Sequence, residues 1–285
     1  MKLLLAELNK NFELEIWEPK EREGNMATNA ILYAIEFSNF LVGKDYDAIV
    51  IRGDRYEMMM LATIAVYKGF EVVHIEGGDD SGVVDNKVRH TITHLSDYHF
   101  CTNKESHRRL INMGVPIDRV WNFGSLDVEF ASRVKPKKLR DSKYILVAYH
   151  PIPDEDDNEL TKALESFPKY DKIVVGSNKD YGKGYGEEEF PPEEFINVLR
   201  YAKCAVGNSS ALIKEASILG TPVVIIGDRQ RSRLMPRNVV QVPCETDKIT
   251  LAIEYQIKNK PYKDELYYQK NTSKKICQTL LRELK

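Results

Sequence analysis

Cysteine is scarce in this chain. Cys101, Cys204, Cys244 and Cys277 are the only four among 285 residues, and they stand far apart, with no CxxC pair and no metal-ligand spacing. That pattern argues against a disulfide framework, which a chain of this length does not need, and the four read as free thiols of a reducing cytosol. Long apolar runs are missing too. No segment approaches the roughly 18 uninterrupted apolar residues of a membrane span. The opening "MKLLLAELNKNFELEIW" is broken at Glu7 and lacks a small-residue cleavage site. The expectation is a soluble, cytoplasmic protein with no membrane partner. An excess of one charge is also absent. Lys and Arg number 41 against 43 Asp and Glu, a formal net charge of -2, so nothing drives the whole molecule toward nucleic acid. The one dense basic run, "KPKKLR", has no interleaved aromatics. No G-x-G-x-x-G follows a first strand, which discounts a dinucleotide-dependent oxidoreductase. Among the histidines, His90 and His94 are four apart without an evident third ligand, so neither a metal nor a cofactor is expected.

What is present is 42% apolar and 29% charged, the composition of a globular protein, and long enough for two domains. Short β-branched runs alternate with helical patterns, the signature of βα units on a parallel sheet. "FELEIW" (12–17), "YDAIVI" (46–51), "FEVVHI" (70–75), "DYHFCT" (97–102) and "RVWNFG" predict strands. "NMATNAILYAIEFSNFLVG", "YEMMMLATIAVYKG" and "KESHRRLINMG" predict helices that close on glycine. The basic stretch "ASRVKPKKLRDSK" (131–143) reads as a linker. Beyond it, strands are predicted at 144–150, 172–178, 203–210, 221–228 and 239–242. Helices are predicted near 156–167, 192–202, 210–219, 246–258 and 264–284. The fold class expected is therefore α/β, with two Rossmann-like open parallel-sheet domains, 1–133 and 134–285, facing across a cleft. The last helix is free to pack back on the first domain. Ligands of such sheets sit at the carboxyl ends of the strands.

Four polar clusters fall at predicted strand ends. "IRGDRYE" places Asp54 after a glycine turn, as an exposed carboxylate or as an ordinary helix cap. "HIEGGDDSGVVDNKVRH" delivers Glu76 ahead of Gly77 and Gly78, and sets Asp85 four residues before Arg89, where the two can pair on one helix face. The alternative is a surface ion pair, and Asp79 and Asp80 read as solvated loop. "VAYHP" ends a strand on His150, catalytic or structural. "CAVGNSSALIKEASILGTPVVIIGDRQRSR" is the most specific. Asn208, Ser209 and Ser210 open a predicted helix whose free amides and hydroxyls suit a diphosphate, and Glu215 lies within reach of ribose hydroxyls. Arg229, Arg231 and Arg233 can serve phosphate oxygens or simply be solvated.

"IRGDRYE", "HIEGGDDSG", "DNKVRHTITHLSDYHF", "RRLINMG", "LVAYHP" and "GNSSALIKEASILGTPVVIIGDRQRSR", in this order, resemble the UDP-N-acetylglucosamine 2-epimerases, closest to the hydrolysing branch. The resemblance runs from about residue 12 to the C-terminus. It implies the two-domain glycosyltransferase B fold, a UDP-sugar partner, no cofactor and a homo-oligomer, namely a dimer. It also implies loss of the carbon 2 proton with departure of UDP from carbon 1, then addition of water, with inversion at carbon 2. By position, Asp54, Glu76 and Asp85 match the family's catalytic acids and His150 its histidine beside the diphosphate. Arg89, Ser209, Ser210, Glu215, Arg229 and Arg231 are carried over as UDP-binding. Three departures accompany the match. The family's first strand and its diphosphate-gripping arginine have no counterpart, so the chain reads as a trimmed relative. Asn86 replaces a frequent second acid, and "YGKGYGEEEFPPEEF" is shorter than the family's segment. A non-catalytic nucleotide-sugar-binding protein and a glycosyltransferase on the same fold are the alternatives.

Overall fold

The computed structural model describes residues 1–19, 22, 24–81, 85–152, 157–176, 186 and 188–284. The first residue of the helix reading 156–167, the end of the strand reading 172–178, and most of "YGKGYGEEE" lie outside these residues. The chain forms two compact units, Met1–Leu126 with Gln269–Lys285, and Asp127–Tyr268.

Unit 1 opens with α1 (Lys2–Leu8) and α2 (Met26–Phe40), then β1 (Ala48–Arg52), α3 (Tyr56–Tyr67), β2 (Glu71–Ile75), α4 (Asp85–His94), β3 (Tyr98–Cys101), α5 (Lys104–Asn112) and β4 (Val120–Asn122). The strands are all parallel in the order β1-β2-β3-β4. Both faces of such a sheet must be covered, and β2 shows how. Val73 and Ile75 join a core with Leu4 and Leu8 of α1, while Val72 joins Phe37, Leu61 and Ala65 of α2 and α3. Asn25 caps α2 by accepting from the amides of Ala27 at 2.8 Å and Thr28 at 3.3 Å.

"FELEIW" departs from its expected strand. It makes no ladder, because its apolar residues are satisfied by packing instead. Phe12 and Leu14 lie against the α1 core, and the rings of Trp17 and Phe37 are 5.1 Å apart. Alternation alone makes no strand without a neighbour to bond.

Unit 2 takes in most of α6 (Leu126–Arg133), then β5 (Tyr144–Ala148), α7 (Asp157–Glu165), β6 (Asp171–Val174), α8 (Pro192–Tyr201), β7 (Cys204–Gly207), a 3-10 turn (Ser210–Leu212), α9 (Lys214–Leu219), β8 (Val223–Ile226), β9 (Val239–Val242) and α10 (Thr246–Lys258). Its parallel sheet has the order β6-β5-β7-β8-β9. The strand period of two is visible in β5, where Ile145 and Val147 enter one core and Tyr144, Leu146 and Ala148 the other. The basic stretch read as a linker packs on this unit. Val134 is buried, and Asn197 accepts from the Lys137 amide at 3.0 Å and donates to Lys135 O at 3.3 Å.

The final helix is shorter than expected. Residues 264–268 form a turn, with Leu266 N donating to Asp264 Oδ1 at 3.0 Å, and α11 (Thr272–Glu283) starts after Asn271 at φ 61°. Its Ile276, Cys277 and Leu280 belong to the unit 1 core with Leu4 and Leu8. Among the described residues, no helix is long and apolar enough to cross a membrane.

Candidate active site

In unit 1 the polar side chains gather where β1 and β2 end. Gly53 turns the chain after β1, and Asp54 follows. Glu76 comes directly after β2 at φ 69°, a left-handed conformation rare for a residue with a side chain. Its amide donates to Phe100 O at 2.8 Å, so β3 holds the corner. Its carboxylate accepts from Arg52 Nη2 at 3.0 Å. Behind it, Gly78 is irreplaceable on steric grounds, since a Cβ there would stand 2.5 Å from Ser106 O.

Arg89 of α4 is 3% exposed. It pairs with the Asp54 carboxylate, and its Nη1 donates to Asp79 O and to Asn86 Oδ1, each at 2.9 Å. Asn86 Oδ1 also accepts from Ser81 N at 2.9 Å, and Asn86 Nδ2 donates to Asp80. Asp85 opens α4, half-buried, with the residues just before it outside the described set. Asp79, read from sequence as solvated, is 3% exposed and accepts from Thr102 Oγ1 at 2.6 Å and Ser106 Oγ at 2.7 Å. Two hydroxyl donors replace the water it would otherwise need.

His74 stands under this cluster. Its Nε2 lies 2.9 Å from Gly53 O, which can only accept, so Nε2 carries the proton and Nδ1 accepts from Thr93 Oγ1 at 3.3 Å. Burial pulls its pKa down to about 4, against weaker upward pulls from the Gly53 bond and nearby carboxylates. The unfolded chain then binds a proton that the folded chain refuses. Stability is full above the unfolded value of about 6.5 and falls as pH drops toward the folded one. From pH 7 to pH 5 this residue alone costs about 2 kcal/mol. His99, pulled down to about 3 by burial, acts in the same direction. Urea unfolding at the two pH values checks this, and an equal pH response in His74→Gln and the parent would refute the assignment.

In unit 2 the chain ends of β5 and β7 are clasped by Asn208, which is fully buried. Its Oδ1 accepts from His150 N at 2.7 Å and its Nδ2 donates to His150 O at 2.8 Å. Its own carbonyl accepts from Arg229 Nη1 and Gln230 Nε2, each at 3.1 Å. A cavity of about 320 Å³ opens beside this clasp, lined by Tyr149, His150, Phe195, Ser209, Ser210 and Arg229, among others. The expected continuous helix over 210–219 is instead the 3-10 turn followed by six-residue α9. Because Asn208 N and Ser209 N both turn back to Ala148 O, at 3.2 and 3.3 Å, the first amides left over are those of Ser210 and Ala211. A local turn carrying the Ser209 and Ser210 hydroxyls, rather than a helix end, thus borders the cavity.

Residues 6–281 match the family model described as UDP-N-acetylglucosamine 2-epimerase. The chain belongs to that family. It is 30% identical over 263 residues to the UDP-N-acetylglucosamine 2-epimerase of Neisseria meningitidis, covering 82% of this chain and 69% of that protein. It is 28% identical over 228 residues to the GDP/UDP-N,N'-diacetylbacillosamine 2-epimerase (hydrolyzing) of Campylobacter jejuni, covering 68% of this chain and 59% of that protein. The chain therefore spans about three-fifths to seven-tenths of the length of these curated relatives. The S. aureus MnaA-UDP co-structure shares the fold at a TM-score of 0.80 and 15% identity, over 99% of this chain and 86% of that one. Two parallel-sheet units of the glycosyltransferase B type, as the resemblance implied, are thus the fold of this family member.

Within this 2-epimerase family member, the structure brings Asp54, Glu76 and Arg89 to the sheet end of unit 1, and His150, Ser209, Ser210 and Arg229 to one cavity of unit 2. Arg89, expected at a diphosphate, is buried and its guanidinium engages Asp54. Glu215 is half-buried on α9 and Arg231 is exposed, and neither lines the cavity. Arg233, weighed with them, is buried and donates to Gln230 Oε1 at 2.8 Å. Sequence reading missed Arg52, Asp79 and Asn208 as organising residues. For Asp79 the hydroxyl-rich "CTNKES" was the available signal. For Asn208 it was an asparagine directly after the glycine that ends an apolar strand.

Proposed function

We propose that the chain is a hydrolysing 2-epimerase of UDP-N-acetylglucosamine or of a closely similar UDP-linked 2-acetamido sugar. One observation carries the reading: the carboxylates of Asp54 and Glu76, at neighbouring strand ends, each have an arginine of their own. Carboxylates aimed by fixed partners are what removal of a weakly acidic C–H proton needs. A carboxylate, Glu76 or Asp85, takes the proton from carbon 2 while the carbon 1 to oxygen bond breaks and UDP departs with the electron pair. The glycal so formed gains the hydroxyl of water at carbon 1 and a proton on the other face of carbon 2. One UDP-N-acetylglucosamine and one water thereby give UDP and N-acetylmannosamine. In unit 2, the Ser210 and Ala211 amides, the Ser209 and Ser210 hydroxyls and Arg229 receive the diphosphate, with His150 beside it to offset the charge of the leaving group. Glu215 takes the ribose hydroxyls, and Arg231 reaches outer phosphate oxygens. Arg89 serves by fixing Asp54.

Similarity to the Campylobacter relative, a hydrolyzing 2-epimerase, supports the branch. A cytoplasmic location and a homodimer belong to the same proposal. The deciding experiment incubates the purified protein with UDP-N-acetylglucosamine in D2O. The expected result is UDP release with deuterium at carbon 2 of the free sugar. No release from any UDP-N-acetylhexosamine at high protein concentration would end this reading.

A further inference from the structure

Behind the strand ends of unit 1 the charged groups are joined through a neutral amide. Asn86 lies on α4, next to Asp85 and three residues before Arg89. Its Oδ1 accepts from Arg89 Nη1 at 2.9 Å, from Ser81 N at 2.9 Å and from Ser81 Oγ at 3.2 Å, while its Nδ2 donates to Asp80 Oδ1. The surroundings fix which end points where, because a guanidinium and a main-chain amide can only donate and a carboxylate is there to accept. A carboxylate or an aliphatic side chain at position 86 could not meet both demands.

On the far side, Arg109 of α5 approaches Asp80, Nη2 to Oδ2 at 3.7 Å, and its Nη1 donates to Gly78 O, two residues beyond Glu76. On the near side Arg89 pairs with Asp54. The run Arg109, Asp80, Asn86, Arg89, Asp54 thus crosses from α5 through α4 to the turn after β1, with cations and anions alternating about an uncharged link. The Arg89 side chain is 4% exposed. Away from water such links polarise one another, and a member facing the wrong way costs more than it would at the surface.

We infer that Asn86 and Asp80 are a positioning pair. Asp80 anchors the amide nitrogen, and the oxygen so directed holds the Arg89 guanidinium on Asp54 and ties the first turn of α4, with Asp85, to Ser81. Neither residue reacts with the sugar. The catalytic consequence rests on the reaction proposed above, whereas the hold on Arg89 does not.

Substitution separates the two residues from their neighbours. Asn86→Asp sets two carboxylates against each other, where like charges repel, and Asp80→Asn removes the charge that orders the amide. Exchanging them, Asp80→Asn together with Asn86→Asp, restores one donor facing one acceptor at unchanged total charge. These three variants and the parent are compared in UDP release from UDP-N-acetylglucosamine and in the side-chain nitrogen-15 resonances of Arg89, assigned with Arg89→Lys. Asn86→Asp is expected to lower kcat about 10²-fold with KM nearly unchanged, the usual result of a small misplacement of reacting groups. Asp80→Asn should lower kcat about tenfold, and the double variant should recover to within about threefold of the parent. The Arg89 Nη protons should exchange slowly in the parent and the double variant and rapidly in both single variants. A double variant as slow as the product of the two single losses, or Arg89 exchange as slow in the single variants as in the parent, would each overturn the pair. Should Asn86→Asp fail to fold, Asp80→Asn against the double variant gives the same comparison. A parent that releases no UDP ends the reaction reading alone, and Arg89 exchange then decides the positioning by itself.

Discussion

Glu76→Gln is expected to slow UDP release from UDP-N-acetylglucosamine by about 10²- to 10⁴-fold, the usual worth of a positioned acid or base. The amide keeps the size of the side chain and an oxygen for Arg52, which donates to Glu76 Oε1 at 3.0 Å. What it loses is the ability to take a proton. Because the corner at φ 69° is fixed by the main-chain bond to Phe100 O, the substitution leaves the backbone conformation in place. Thermal unfolding should therefore match the parent while turnover collapses. If UDP release persists at the parental rate, Glu76 is not a reacting group. If release is lost together with the fold, Glu76→Asp, which keeps the charge one bond shorter, separates the two effects by its unfolding midpoint.

Gly207→Ala is expected to have the largest effect on stability, about 4 kcal/mol or more. Gly207 ends β7 at φ 146°, and a Cβ there would come 2.0 Å from Ala148 O and 2.5 Å from Ala148 C. Neither partner can retreat. Gly207 is flanked by Ala148 of β5 on one side and Ile225 of β8 on the other, and Ala148 O also accepts from Asn208 N and Ser209 N. The glycine thus lets two strand ends approach closely enough for Asn208 to clasp them. Denaturant unfolding of the variant measures the loss. A midpoint within experimental error of the parent would show that the strand ends part without cost.

Most strands were legible because buried parallel strands are written in β-branched residues, and the runs around β2, β5, β7 and β8 have no competing reading. Helix α2 was legible for a similar reason, with an asparagine cap before it and a glycine after its end. Failures came where a partner, rather than the pattern, decides. "FELEIW" alternates like a strand but has no strand to bond, and the stretch before α11 carries helical residues that a turn at Asp264 and the left-handed Asn271 exclude. The entry into the 3-10 turn follows Ala148 O capturing the amides of Asn208 and Ser209, a long-range contact that local propensity does not contain.

The site was legible in part. Asp54, Glu76 and His150 announce themselves as polar residues at the ends of apolar runs, and strand ends are where parallel sheets carry function. Arg89 was recognised but its partner was not, because its link to Asp54 spans 35 residues of sequence. Asp79 illustrates the opposite error. A carboxylate in a glycine-rich loop looks wet, yet two hydroxyls from the start of α5 make a dry place for it.

The Asn208 clasp has a thermodynamic consequence for whatever enters the unit 2 cavity. The wall formed by His150, Ser209 and Arg229 is already rigid before a ligand arrives, since His150 is tethered to the buried Asn208 side chain and the Arg229 guanidinium to the Asn208 main-chain carbonyl. Little conformational entropy is left to surrender on association, so affinity there reflects the contacts themselves rather than the ordering of a loose receptor.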